Sequence, residues 1–153
     1  MDLKTEQYIR DLDAFQQMLN NVEDEEIKSF LVKLFCIRTA GLVEVFLKTR
    51  ISSYSTGKVS KEISRFLTTK FKEITNLKSS RIEEVLVSFS MDWSNKFRAY
   101  ISEHDKQRTS LDSVIAHRHS IAHGHPSTIS SALMAQYYDD VKKIVCFLDN
   151  LIR

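Results

Sequence analysis

The chain has 153 residues, enough to bury one self-sufficient core, and its 42% hydrophobic and 27% charged residues exclude general disorder. Only three glycines and one proline occur, too few for the repeated tight turns of an all-β fold, so the composition favours long helices. The net charge of +2 is too small to indicate a strongly basic nucleic-acid binder, and any phosphate-binding surface must therefore be local.

The N-terminus, the apolar runs and the cysteines indicate the compartment of the protein. The first six residues are acidic and polar and lack the apolar segment of a signal peptide, and no apolar run approaches the length of a membrane span. Cys36 and Cys146 each lie in an apolar helical pattern, which favours buried free thiols in a reducing compartment over a disulfide. We therefore expect a cytoplasmic protein with no membrane partner.

Three helices are predicted in the first half of the chain, over residues 3–19, over residues 23–52 and from Ser60 to about Ile74. Asn20 and Asn21 form a break between the first two, and acidic residues in the first turn of the second suit the helix dipole. Apolar residues surround much of the second helix, so we expect it to be central and buried on more than one side. Those residues are Ile27, Leu31, Leu34, Phe35, Ile37, Leu42, Val43, Val45, Phe46 and Leu47.

Arg38 lies within the apolar stripe of this second helix. Burying an unpaired guanidinium is costly, so an arginine at such a position requires a partner. We favour an ion pair with an internal acid over a second cation in a functional site.

Three more helices are predicted in the second half. Ser80-Arg81-Ile82-Glu83 fits a capping box and begins a helix that runs to about Ile101, followed by a polar connection over residues 103–108. Thr109-Ser110-Leu111-Asp112 fits a second capping box, and Gly124 suits the end of the helix that it begins. A final amphipathic helix covers residues 130–152. The sequence thus predicts an all-α, up-and-down bundle of five or six helices in a single domain, residues 1–153.

The helix that ends near Gly124 carries an unusual cluster, with four of the five histidines between His117 and His125. Arg118 projects from the middle of the apolar stripe, while His119 and His123, four residues apart, share one flank. The stripe consists of Leu111, Val114, Ile115, Ile121 and Ala122. A cation at this position requires an anionic partner, either an internal acid or an external ligand.

Three interpretations of the cluster are open. His119 and His123 are spaced to share a metal ion, with His117 or His125 as a third ligand, but the glutamate of a zinc-protease helix is missing and Arg118 opposes a second cation. The histidines could instead lie on the surface beside a structurally paired arginine. Alternatively, histidine acid–base chemistry and arginine charge stabilisation could serve a metal-independent ribonuclease. The residues alone leave the last two interpretations about equally favoured.

The segment Arg118-His119-Ser120-Ile121-Ala122-His123-Gly124 resembles the signature of the HEPN superfamily, in which an arginine and a polar residue precede a histidine after a short gap. The sequence of this segment is similar to that of the RiboL-PSP-HEPN branch. The setting agrees, because the motif closes the penultimate helix of an all-helical chain and a long amphipathic helix follows. The pattern of helices resembles that of the family over essentially the whole chain, whereas similarity in the residues themselves is limited to residues 115–124.

This resemblance implies a metal-independent endoribonuclease of toxin–antitoxin or antiviral defence systems, without a cofactor. It assigns Arg118 and His123 as the catalytic pair and His119 as the polar residue beside the arginine. It also implies a homodimer whose two motifs line one cleft, RNA products with a 2′,3′-cyclic phosphate and a 5′-hydroxyl, and a cognate antitoxin or defence partner. The alternative is a non-catalytic HEPN module for RNA binding or dimerisation. His125 stands where some toxin branches carry a regulatory tyrosine, which puts tyrosine-directed regulation in doubt.

Overall fold

The structure is a computed structural model that describes residues 1–71 and 73–152. Over these residues it contains seven α-helices and no strand, which confirms the all-α class and adds at least one helix to the predicted number. The helices are α1 (Leu3–Asn20), α2 (Glu25–Ser55), α3 (Lys61–Phe71), α4 (Ser79–Val87), α5 (Met91–Glu103), α6 (Asp105–Ala122) and α7 (Ser131–Leu151).

Helix α2 is the centre of the fold, as predicted, because α1, α3, α6 and α7 all pack against it. Phe35 on α2 marks the middle of the core. Its ring meets those of Phe15 and Tyr138 edge-on, with centroids 5.5 and 5.2 Å away, so α1, α2 and α7 share one aromatic cluster. None of the helices in the described residues combines the length and apolar character that crossing a bilayer requires.

The prediction of one continuous helix from Ser80 to Ile101 is wrong, because the chain breaks between α4 and α5. The backbone N–H groups of Phe89 and Ser90 both donate to the carbonyl of Leu86, at 3.0 and 2.8 Å, which closes α4. The hydroxyl of Ser90 then accepts from the N–H of Trp93 at 3.4 Å and caps α5.

The second capping-box prediction is also wrong, because α6 begins at Asp105, directly after α5. The expected polar connection over residues 103–108 is therefore mostly helical. The carboxylate of Asp112 serves another helix instead. It accepts from the backbone N–H of Ser79 at 2.7 Å and from its hydroxyl at 2.9 Å, so α6 caps the first turn of α4.

The prediction that α2 is buried on more than one side is confirmed, but its apolar face is not buried throughout, because Ile27, Leu34 and Ile37 are exposed. The prediction for Arg38 is wrong. Arg38 forms no ion pair within the described residues; its guanidinium instead lies over the rings of Tyr8 and Phe15, 5.7 and 5.8 Å from their centroids. Aromatic faces thus replace the expected internal acid.

The cysteines are both free, but only Cys36 is buried, whereas Cys146 is exposed. The Cys36 thiol donates to the carbonyl of Val114 at 3.6 Å. Burial disfavours the charged thiolate and raises the pKa of Cys36 to about 12. The two thiols therefore differ strongly in reactivity.

We predict that Asp112→Ala lowers the free energy of unfolding by about 1–3 kcal/mol, because it leaves the N–H and the hydroxyl of Ser79 without an acceptor in a buried position. Urea denaturation followed by circular dichroism measures the change. Glu84→Ala is the control, since it removes only an exposed ion pair with Arg81 and should cost less than about 1 kcal/mol. Equal losses in both variants would contradict the capping role.

We also predict that a thiol reagent at pH 8 modifies one cysteine per native chain. Cys146 should react within minutes, whereas Cys36 should react only after denaturation, because its raised pKa and its burial deprive the reagent of an accessible thiolate. Absorbance of the released chromophore measures the stoichiometry. Cys146→Ser should abolish the native signal; a remaining rapid reaction would show that Cys36 is accessible.

Candidate functional site

The C-terminal end of α6 presents the motif residues. The helix ends at Ala122, and His123 forms the C-cap, with its N–H donating to the carbonyl of His119 at 3.1 Å. Gly124 has a φ of +70°, the left-handed conformation predicted for the residue that ends this helix. The N–H of His125 then donates to the carbonyl of Ser120 at 2.9 Å and completes the cap.

Arg118 lies on the inner side of α6 and has two partners from other elements. One of its terminal N–H groups donates to the side-chain oxygen of Asn76, and its other terminal nitrogen lies 3.8 Å from a carboxylate oxygen of Glu44. The side chains of Arg118 and Glu44 are only 29% and 15% exposed. An internal acid, which the structural interpretation of the arginine requires, is therefore present.

Asn76 connects Arg118 with Glu44, and we call these three residues the Arg118 node. Its backbone N–H donates to the carboxylate of Glu44 at 3.2 Å, and its carbonyl accepts from the N–H of Lys78 at 2.8 Å. Its φ of +53° is in the left-handed region, which asparagine tolerates better than most residues. The loop between α3 and α4 is thus shaped to bring an amide oxygen to the arginine.

Sequence reasoning missed both Glu44 and Asn76. Glu44 carried a signal, because it is the sole acidic residue of α2 after Glu26 and it interrupts an apolar stripe. Asn76 carried none, because its role depends on a contact with Arg118 across 42 residues of the chain.

The histidines lie on the outer side of the same helix end. The ring centroids of His119 and His123 are 4.4 Å apart, and those of His123 and His125 are 6.4 Å apart. All three side chains are exposed. His117 is separate, because its Nδ1 lies 2.9 Å from the hydroxyl oxygen of Ser127. The structure therefore brings together three of the four clustered histidines.

Arg118 and the paired histidines point in different directions. His119 follows Arg118 by one position and His123 follows it by five, which corresponds to roughly 100° and 140° around a helix. Within the described residues, no hydrogen bond or ring contact joins the arginine to either ring. A ligand that contacts Arg118, His119 and His123 together must therefore span the edge of α6.

The chemistry available at this edge is a cation beside imidazoles. A guanidinium has five N–H donors, and the Arg118 node occupies only its inner side, so further donors remain for an external anion. His119 and His123 offer imidazole rings, the side chain most often used as a general acid or base. No group of three or more His, Cys, Asp or Glu side chains in the described part of the chain is placed to hold a metal ion.

Comparison with known proteins gives one match. The model of the RiboL-PSP-HEPN family matches residues 4–153, nearly the whole chain. No curated protein and no solved structure matches.

We predict that Asn76→Gly is less destabilising than Asn76→Ala by about 1–2 kcal/mol. Both substitutions remove the amide oxygen that accepts from Arg118, but only glycine adopts the φ of +53° without a steric cost. Urea denaturation of both variants measures the difference. Equal stabilities would show that the left-handed backbone is not retained in solution.

Proposed function

Because the chain belongs to the RiboL-PSP-HEPN family, we propose that it is a metal-independent endoribonuclease that acts in a toxin–antitoxin or antiviral defence system. Members of the superfamily are ribonucleases or RNA-binding modules, and we propose the ribonuclease role for this chain. We propose further that residues 1–153 form one HEPN domain, that it works in the cytoplasm as a homodimer, and that a cognate antitoxin or defence partner restrains it.

The observation that carries this proposal is the C-terminal end of α6, which holds the guanidinium of Arg118 on its inner side and the rings of His119 and His123, with centroids 4.4 Å apart, on its outer side. Cleavage of RNA requires removal of a proton from the ribose 2′-hydroxyl, charge stabilisation on phosphorus and protonation of the leaving 5′-oxygen. Residues of the types needed for all three tasks occur at this helix end, within reach of one ligand that spans its edge, and none of them requires a bound metal.

In the proposed reaction, an imidazole of His123 or His119 accepts the 2′-hydroxyl proton while the 2′-oxygen attacks phosphorus. The bond from phosphorus to the 5′-oxygen breaks, and a protonated imidazole supplies the proton that the leaving oxygen takes. Arg118 stabilises the extra negative charge on the phosphoryl oxygens through its outer N–H groups. The products are a 2′,3′-cyclic phosphate and a 5′-hydroxyl.

Glu44 and Asn76 have a positioning role in this scheme. The hydrogen bond from Arg118 to Asn76 and its ion pair with Glu44 hold the guanidinium in place, and they leave some of its five N–H donors for an external anion. The same contacts favour a second candidate function, the non-catalytic module, because an arginine that already has an internal acid needs no RNA to satisfy its charge.

We predict that Arg118→Ala and His123→Ala each reduce cleavage of total cellular RNA in excess EDTA by about 100-fold or more, because each removes either charge stabilisation or proton transfer. Gel electrophoresis measures cutting, and end-group analysis measures the 2′,3′-cyclic phosphate. His104→Ala is the matched control: this histidine stacks on Tyr100 at the junction of α5 and α6 and should leave cleavage unchanged.

Two results would contradict the proposal. Normal cutting by a folded His123→Ala variant would remove this histidine from the site. No cutting by the folded wild type, together with retained RNA binding, would favour the non-catalytic module.

A further inference from the structure

Charge is distributed unevenly along the chain. Residues 48–78, which we call the basic segment, contain eight Lys and Arg residues but only two acidic residues, a net charge of +6. Since the whole chain has a net charge of +2, the remaining residues carry −4. A chain that is almost neutral overall therefore has one strongly basic segment, and such a local concentration of charge is what a polyanionic ligand requires.

Most cations of the basic segment have no acidic partner in the fold. Arg50 and Lys70 pair with acids, and Lys58 lies over the ring of Tyr54. Five cations of the segment form no ion pair within the described residues; they are Lys48, Lys58, Lys61, Arg65 and Lys78. Their charges are therefore available to an external anion.

Helix α3, in the middle of the basic segment, stands apart from the rest of the bundle. Among the described helices its backbone approaches only that of α2, and Phe71 is its only buried residue. Lys61 and Arg65 are both exposed, and their spacing of four residues places them on one face of α3. The helix thus presents a pair of cations to solvent.

Both ends of the basic segment lie at the Arg118 node. Lys48 follows Glu44 by four residues, so the two side chains are neighbours on one face of α2. Lys78 follows Asn76 by two residues, and its N–H donates to the carbonyl of Asn76 at 2.8 Å. The chain therefore leaves the node near Lys48, forms α3 and returns to the node near Lys78.

We propose that the basic segment binds the sugar–phosphate backbone of an RNA strand and leads it to Arg118. In this arrangement Lys48 and Lys78 bind phosphates close to the one that Arg118 contacts, and Lys61 and Arg65 bind phosphates farther along the strand. Phosphate contacts fix the position of a nucleic acid without reading its bases, so this surface sets affinity and register. The path towards Arg118 rests on the proposed ribonuclease function, whereas RNA binding by the segment does not.

An anionic membrane is the other large polyanion that a basic helix could meet. A helix on a membrane buries its apolar side, and the exposed apolar residues of α3 are Ile63 and Phe66. They lie roughly 100–160° around the helix from Lys61 and Arg65, so a membrane would turn both cations towards water. It would also leave the two lysines beside the Arg118 node without a role.

RNA binding by the His123→Ala variant tests the proposal, because this variant should leave the strand uncut. Fluorescence anisotropy of a labelled single-stranded RNA oligonucleotide, measured over a salt series, gives the dissociation constant and its salt dependence. Adding Lys61→Gln and Arg65→Gln should raise the dissociation constant by about 10-fold or more. The slope of its logarithm against the logarithm of salt concentration should fall by about 1.4, because each contact to a single strand contributes about 0.7.

Lys4→Gln with Lys106→Gln is the matched control, since it removes the same two charges elsewhere. Both lysines are exposed, lie outside the basic segment and form no ion pair within the described residues. The control should leave the salt dependence unchanged. Circular dichroism checks that both double variants are folded.

Cleavage kinetics separate a binding role from a structural one. With His123 intact, Lys61→Gln with Arg65→Gln should raise KM by about 10-fold and leave kcat within about 2-fold, because these residues contact RNA away from the reacting phosphate. A fall in kcat at unchanged KM would contradict the binding role.

Equal weakening of RNA binding by the two double variants, or an unchanged salt dependence in the first, would overturn the proposal. Binding to vesicles of anionic phospholipid that is lost in the first variant, with RNA affinity unchanged, would assign the segment to a membrane and also overturn it. A folded wild type that binds RNA through the basic segment without cutting it would support this proposal and contradict the ribonuclease function.

Discussion

The structure depends on covering α2, a 31-residue helix with apolar residues on almost every side. Helices α1, α6 and α7 cover most of it, and their packing carries the core. The few charged residues in the middle of α2 must then find partners inside this arrangement. Arg38 finds two aromatic rings, and Glu44 finds Arg118 and Asn76. The geometry of the candidate site therefore follows from how the central helix is enclosed.

Local chemistry in the sequence predicts much of this fold. The helical class, the break at Asn20 and Asn21, the start of the last helix near Ser130 and the end of α6 at Gly124 all depend on residues within a turn of the feature. The early start of α6 does not depend on such local residues. Asp112 has the position of a local cap, yet its carboxylate bonds Ser79, 33 residues earlier in the chain. A sequence pattern identifies a residue able to cap a helix without identifying which helix it caps.

The same limit applies to the site. Arg118, His119 and His123 form a short motif, so a family resemblance identifies them directly, and the family is confirmed by the match over residues 4–153. The contacts of Arg118 were not predictable, because Glu44 and Asn76 come from distant parts of the chain and the signal at Glu44 does not name its partner. The sequence required an anionic partner for this arginine. The structure provides an internal acid on its inner side and leaves donors on its outer side, so a structural role and a role in ligand binding are compatible.

Asn76, whose backbone is left-handed, links the order of its loop to the binding of an anion at Arg118. Its side-chain oxygen holds Arg118, and its N–H is held by Glu44, so the loop between α3 and α4 and the guanidinium share one set of hydrogen bonds. An anion that binds Arg118 in place must tighten this set, whereas an anion that draws the arginine outward must loosen it. Because coupling free energies are reciprocal, an anion that orders the loop binds more tightly to a protein whose loop is already ordered, and an anion that disorders it binds less tightly. Anion binding at Arg118 and the order of the loop that carries Asn76 would then be coupled through these hydrogen bonds.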